Sequence, residues 1–196
     1  MDYEHEIKTM VDNKNLMNSY KLYFLKSIIM NISNIKNVFE FYELACWMCA
    51  YSFKDICVLN HRIRPLDKLY DIILLIIETE ELLESSDPLD VFNSLKTTDS
   101  KEVRKAVAGL MDYVPYRLLS YLWNEELRGR KDALKNDLIE MYSKAYGNNM
   151  YMIVTEGKTK SIVIQNNWIR YLLDNRENLK SWIDNRIRQF VWRDEK

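Results

Sequence analysis

Three cysteines and a histidine offer the first possible chemistry, because Cys46, Cys49, Cys57 and His61 stand in the spacing C-x2-C-x7-C-x3-H. That ligand set suits tetrahedral zinc. The stretch from Ala45 to Val58 reads as helix throughout, however, and structural zinc sites take their first Cys pair from a turn. The cysteines are therefore expected to be reduced, buried and metal-free, behaving as small apolar residues. A redox pair is not expected either, since no βαβ pattern surrounds them.

Glu156-Gly157-Lys158 reproduces the E-x-K half of a Mg2+-binding nuclease signature, in which carboxylates hold the metal beside a lysine. In such sites the triplet lies on a core strand after an Asp. Here Gly157 puts it at a hairpin tip and the preceding strand has no Asp, so a plain turn is the better reading. Only His5 and His61 supply imidazole, and neither a G-x-S-x-G nor a P-loop string occurs. We expect no complete catalytic or metal site, no cofactor and no metal-dependent nuclease activity from the purified chain.

Charge is more informative in its distribution than in its total of −1. Residues 67–90 hold eight acids against Lys68 alone, a block of −7 that leaves +6 elsewhere and reads as a solvated acidic face. Six bases fall in loops or near helix ends: Arg62, Arg64, Arg117, Arg128, Arg130 and Lys131. Tyr116 and Trp123 lie near the later ones. These bases are candidates for phosphate contact, with ordinary solubilising charge as the competing explanation.

The elements that must hold these groups are mostly helical. A composition of 47% hydrophobic residues with 4 Gly and 3 Pro supports a real core, and the chain is expected to be one helical domain over residues 1–196, with 1–17 flexible. Asn18 and Ser19 should cap a helix over 20–32. A second runs over 41–58, and a third over 68–83 is apolar nearly all round between Ile72 and Ile77, which would place it at the centre. Ser86-Asp87-Pro88 and Asp99-Ser100 start two more. After Pro115, an apolar segment to Trp123 and a polar loop over 124–130 precede a helix over 131–146 with Gly147 as its cap. Two β-favouring runs then form a hairpin within residues 150–164, inserted before C-terminal helices over 166–193. The fold class is thus mainly α, with a two-stranded hairpin. The longest apolar run, Ile72 to Ile77, is far too short to span a bilayer, and the polar start is no signal peptide. With an odd cysteine count, a cytoplasmic location and no membrane partner are expected.

Several strings in order carry a resemblance: Asn18-Ser19-Tyr20-Lys21-Leu22-Tyr23-Phe24-Leu25-Lys26, Ala50-Tyr51, Val114-Pro115-Tyr116-Arg117-Leu118-Leu119, and Trp168-Ile169-Arg170-Tyr171 followed by Asn175. Tyr20, Tyr116, Trp168 and Tyr171 are its main aromatics. Over most of its length the chain resembles the helical N-terminal region of bacterial HNH-endonuclease-domain proteins of restriction or phage-defence type. It departs from that pattern at Tyr51-Ser52-Phe53 and at Asn60-His61-Arg62-Ile63-Arg64-Pro65. The resemblance implies a non-catalytic recognition or scaffolding module. In that family the catalytic His, Asn and His follow the final helix, so none is carried onto this chain.

Two functions stand open. One is binding of duplex DNA through the basic loops at 59–68 and 124–131, with the acidic helix facing away. The other is protein interaction, as a homodimer or with a separate nuclease subunit, which 5 Trp and 13 Tyr would serve.

Overall fold

The computed structural model describes residues 2–12 and 16–192. The fold is mainly α. Helix α1 (Tyr3–Met10) begins at Asp2, whose side chain accepts from the His5 N–H at 3.0 Å, and it buries Ile7 and Met10 along one stripe. Tyr3 stacks on Tyr171 at 4.8 Å and meets Trp168 edge-on at 4.9 Å. Within the stretch expected to be flexible, residues 3–10 thus form a helix whose positions 3, 7 and 10 share one face, and that face has a docking surface. Met1 and residues 13–15 lie outside the described residues, as does Arg193 at the end of the expected C-terminal helices.

Helix α2 (Tyr20–Asn31) is buried over most of its surface. Its start is held by Asn18, which accepts from the Tyr20 N–H, and by Asp67, which accepts from the Ser19 N–H at 2.8 Å; the Ser19 side chain does not cap it. Helix α3 (Phe41–Leu59) is the central element, packed on α2 and on α4 (Leu69–Glu80), α5 (Pro88–Thr97) and α6 (Lys101–Ala108). The expectation of a central third helix is corrected here: α4 buries Leu69, Ile72, Ile73 and Ile76 but leaves Leu74 37% exposed. α3 takes the centre because Ala45, Cys46, Cys49 and Ala50 let its neighbours approach closely. Asp87 caps α5 through the Leu89 and Asp90 N–H groups, and Ser100 caps α6 through Val103 N–H.

A 3₁₀ turn leads to α7 (Val114–Leu119), with Pro115 in its first turn. The expected polar loop at 124–130 instead contains a single helical turn, α8 (Asn124–Leu127), anchored by buried Leu127. Gly129 reverses the chain at φ 72° into α9 (Asp132–Ala145). Gly147 is not the left-handed cap expected; α9 ends through extended Tyr146.

The hairpin forms from β2 (Tyr151–Glu156) and β3 (Thr159–Ile164), but β1 (Val38–Glu40) pairs antiparallel with β3, making a three-stranded sheet in the order β1-β3-β2. The two-stranded expectation is corrected because Phe39, opposite Ile162, extends the apolar face that an isolated hairpin cannot bury. α9 covers β2, with the Ser143 hydroxyl accepting from the Ile153 N–H at 3.0 Å. α10 (Asn166–Asp174) and α11 (Arg176–Val191) complete the core around buried Trp168. Among the described residues no helix is long and apolar enough to cross a membrane.

Candidate functional site

Four of the six bases singled out in sequence fall in or beside one recess. It is an open depression of about 210 Å3, lined by Arg117, Ser120, Asn124, Leu127, Arg128, Gly129 and Lys135. No carboxylate lines it. Arg117 comes from α7, where its guanidinium lies 5.7 Å from the Tyr113 ring centre and donates through Nη2 to Asp132 at 2.8 Å. Its Nη1 is buried without a hydrogen-bond partner. Arg128, between α8 and the Gly129 reversal, donates to Glu125 at 2.7 Å, both side chains being 76% exposed. Lys135, one turn into α9, stands 3.7 Å from Asp132. Arg130 and Lys131 follow on the exposed loop.

Lys135 was not singled out in sequence, and neither was a further cation close to Arg117. Lys21, in the first turn of α2, is pushed down from 10.5 to about 8, first by burial and then by the charge of Arg117. Its only sequence signal was a lone base beside the apolar run Leu22 to Leu25.

The segment at 59–68 is different. Arg62 donates to Asp71 at 2.7 Å, and the Arg64 guanidinium lies 5.3 Å from the Phe190 ring centre on α11. His61 is exposed, with Nδ1 3.0 Å from the Arg62 carbonyl oxygen. Asp67 is buried, which raises its carboxyl, and it accepts from the N–H groups of Ser19 and Leu69. The first turn of α2 touches both basic segments: the Tyr20 hydroxyl accepts from the Lys68 N–H, and Lys21 next to it senses Arg117. The acidic block is not uniformly solvated. Asp67 and Asp87 bind helix-start amides, Asp71 pairs with Arg62, and Glu80 accepts from Ser94 and Thr98.

Cys46 and Cys49 are buried in α3 and Cys57 is partly exposed; burial pushes the Cys46 thiol up to about 12 and also raises the Cys49 thiol well above its ordinary value. Among the described residues no three His, Cys, Asp or Glu side chains gather as a metal site. Glu156 and Lys158 flank Gly157 at φ 60° in the hairpin turn. Behind that turn lies a polar cluster that sequence did not reveal. Lys160 donates to the Tyr116 hydroxyl at 2.7 Å and stands 3.6 Å from Glu140, which accepts from Lys144 and Thr155, both at 2.9 Å. Burial raises the Glu140 carboxyl, but the hydrogen bonds from Lys144 and Thr155 outweigh it and the net shift is downward. The cluster depends on the hairpin lying across α9.

The aromatics of the resemblance serve the fold. Tyr116 meets Phe41 edge-on, Trp168 is fully buried and Tyr171 stacks on Tyr3. Compared with models of protein families, with curated proteins and with solved structures, the chain finds no match in any of the three.

Proposed function

We propose that this chain is a non-catalytic recognition module that binds duplex DNA through its phosphate backbone, akin to the helical region that precedes the nuclease in HNH-endonuclease proteins. The observation that carries this reading is the recess at Arg117, Arg128 and Lys135, whose lining has cations and neutral donors but no acid. Guanidinium groups match phosphate oxygens in geometry as well as charge. Arg130 and Lys131 extend the basic surface, and Lys21 on α2 lies close enough to Arg117 to feel its charge. The aromatic surplus gives less support to a protein-interaction role, because Tyr23, Tyr151 and Trp168 are spent in the core and Trp47 is stacked on Phe92 at 4.0 Å.

The test is binding of a labelled duplex across a salt series. Four to six phosphate contacts give a log–log slope of about −4 to −5, which lowers affinity by roughly 10²- to 10³-fold between about 50 and 200 mM salt. Absence of binding at low salt, together with a concentration-dependent dimer, would remove the DNA reading in favour of self-association.

A further inference from the structure

We propose that a second cleft, between α7 and the hairpin, takes one unpaired base of a DNA strand whose phosphates lie along the basic surface at 117–135. The inference rests on the DNA reading above and adds to it the part of the nucleic acid that the protein singles out.

The make-up of this cleft sets it apart from the basic recess. It is open, holds about 460 Å3, and lies where β1, the start of α3, α7, α9 and the hairpin turn converge. Its apolar lining runs from Tyr116 and Met111, only 2% and 4% exposed, to partly buried Phe41 and Tyr42. The Phe41 and Tyr116 rings meet edge-on at 6.1 Å. The Tyr42 hydroxyl donates to the Leu95 carbonyl oxygen at 3.0 Å, and the Tyr116 hydroxyl accepts from Lys160 at 2.7 Å. With those hydroxyls engaged, the rings offer mainly apolar surface. A cleft of this size, part aromatic and part polar, suits a small planar group with a polar edge.

Charge decides which part of a nucleotide enters. Glu40 and Asp112 share the lining with Lys158 and Lys160, so its formal charge sums to zero, and Lys160 also stands 3.6 Å from Glu140. A phosphate gains nothing from such a lining and meets two carboxylates in it. A base is uncharged and carries donors and acceptors along its edges, which carboxylates and ammoniums can answer in kind. The recess has the reverse character, with cations and no acid.

Position joins the two sites. Tyr116 and Arg117 are consecutive on α7, as Asn136 and Lys135 are on α9, and in each pair the first lines the cleft and the second the recess. Consecutive residues have Cα atoms about 3.8 Å apart, and on a helix their side chains diverge onto adjacent faces. The two sites therefore adjoin across the same pair of helices, and a strand anchored at Arg117 and Lys135 passes the mouth of the cleft. Extruding a paired base costs unstacking and unpairing, so a base that is already unpaired is preferred.

The experiment compares, by fluorescence anisotropy at fixed ionic strength, duplexes of one sequence that are fully paired, that carry one unpaired adenine nucleotide as a bulge, or that carry an abasic residue in its place. The adenine bulge is expected to bind about tenfold more tightly than either of the others, the size of one base–aromatic contact. Ala108→Trp, which puts a bulky ring into the cleft from an exposed position and whose folding is checked by an unchanged melting temperature, should remove that preference and leave the fully paired duplex unaffected. Arg128→Gln should weaken all three alike. Free adenosine, binding without a strand at the concentrations that saturate the bulged duplex, would overturn the strand-borne reading. Equal binding of the abasic and adenine bulges overturns base capture in favour of a bent backbone. Equal binding of all three overturns the cleft while leaving DNA binding intact, and binding of none overturns both readings.

Discussion

The segments at 59–68 and 117–135 both present arginines in or beside short connections between helices, yet they differ in what surrounds those arginines. At 59–68 the arginines are held against the fold: Arg62 is paired with Asp71, and Arg64 lies against Phe190. Asp67 fastens this loop to α2 through the Ser19 N–H. At 117–135 the acids number fewer than the bases, and Lys21 arrives from α2 to widen the deficit. The first segment therefore holds the fold, while the second keeps an unbalanced field pointing outward. What separates them is the bases of the helix that follows each loop, not its acids: α4 and α9 each carry three acids, but α9 also carries Lys135 and Lys144 while α4 carries no base.

Three substitutions sharpen this contrast. Asp67→Ala should have the largest effect, about 2–3 kcal/mol of lost stability in urea denaturation, because two buried amide donors lose their acceptor. The folded fraction should still bind DNA as before. Next, Arg128→Glu with Arg130→Glu should weaken duplex binding roughly 10- to 100-fold across all sequences, whereas Arg62→Glu with Arg64→Glu should change it by less than about threefold. Equal losses in the two double variants would erase the proposed division of labour.

The smallest effect concerns Lys21. Its folded pKa of about 8 lies below the ordinary 10.5, so between those values the unfolded chain binds more protons than the folded one. Stability should therefore rise with pH through that window, by on the order of 1 kcal/mol after allowance for partial solvent contact, and Lys21→Met should remove this component. A denaturation series against pH, wild type beside variant, isolates it from the tyrosines and cysteines that also titrate there. An identical pH profile for the two proteins would mean that burial and the Arg117 charge do not lower the proton affinity of Lys21.

The helices at 20–31, 41–59, 88–97 and 101–108 were legible because each announces itself by local physics: an apolar period, a capping side chain, a proline in the first turn. So was the hairpin, through its two β-branched runs around Gly157. β1 was not, since Val38-Phe39-Glu40 is too short to show a period and becomes a strand only because β3 offers it an edge. α1 was missed for a related reason, its stability coming from Trp168 and Tyr171, more than 150 residues away along the chain. Centrality was misread because apolarity was taken as its measure. α4 is the more continuously greasy helix, but α3 has the small side chains that admit neighbours on every side. For the candidate site, four of its bases were visible as loop cations; the missing parts were Lys135, one turn into α9, and Lys21, whose role depends on tertiary proximity to Arg117.

The closure of the sheet by α9 has a consequence for handling the protein. A bare outer strand is a template on which other chains can polymerise. The Ser143 hydroxyl accepting from the Ile153 N–H, with α9 lying over β2, takes away one such template. On the other side, β1 is three residues long and ends in exposed Glu40. Neither border of the sheet presents a long, flat, uncharged row of unpaired amides, so concentrated solutions of the folded chain should resist cross-β fibril growth, and substitutions at Ser143 are the ones that would expose it.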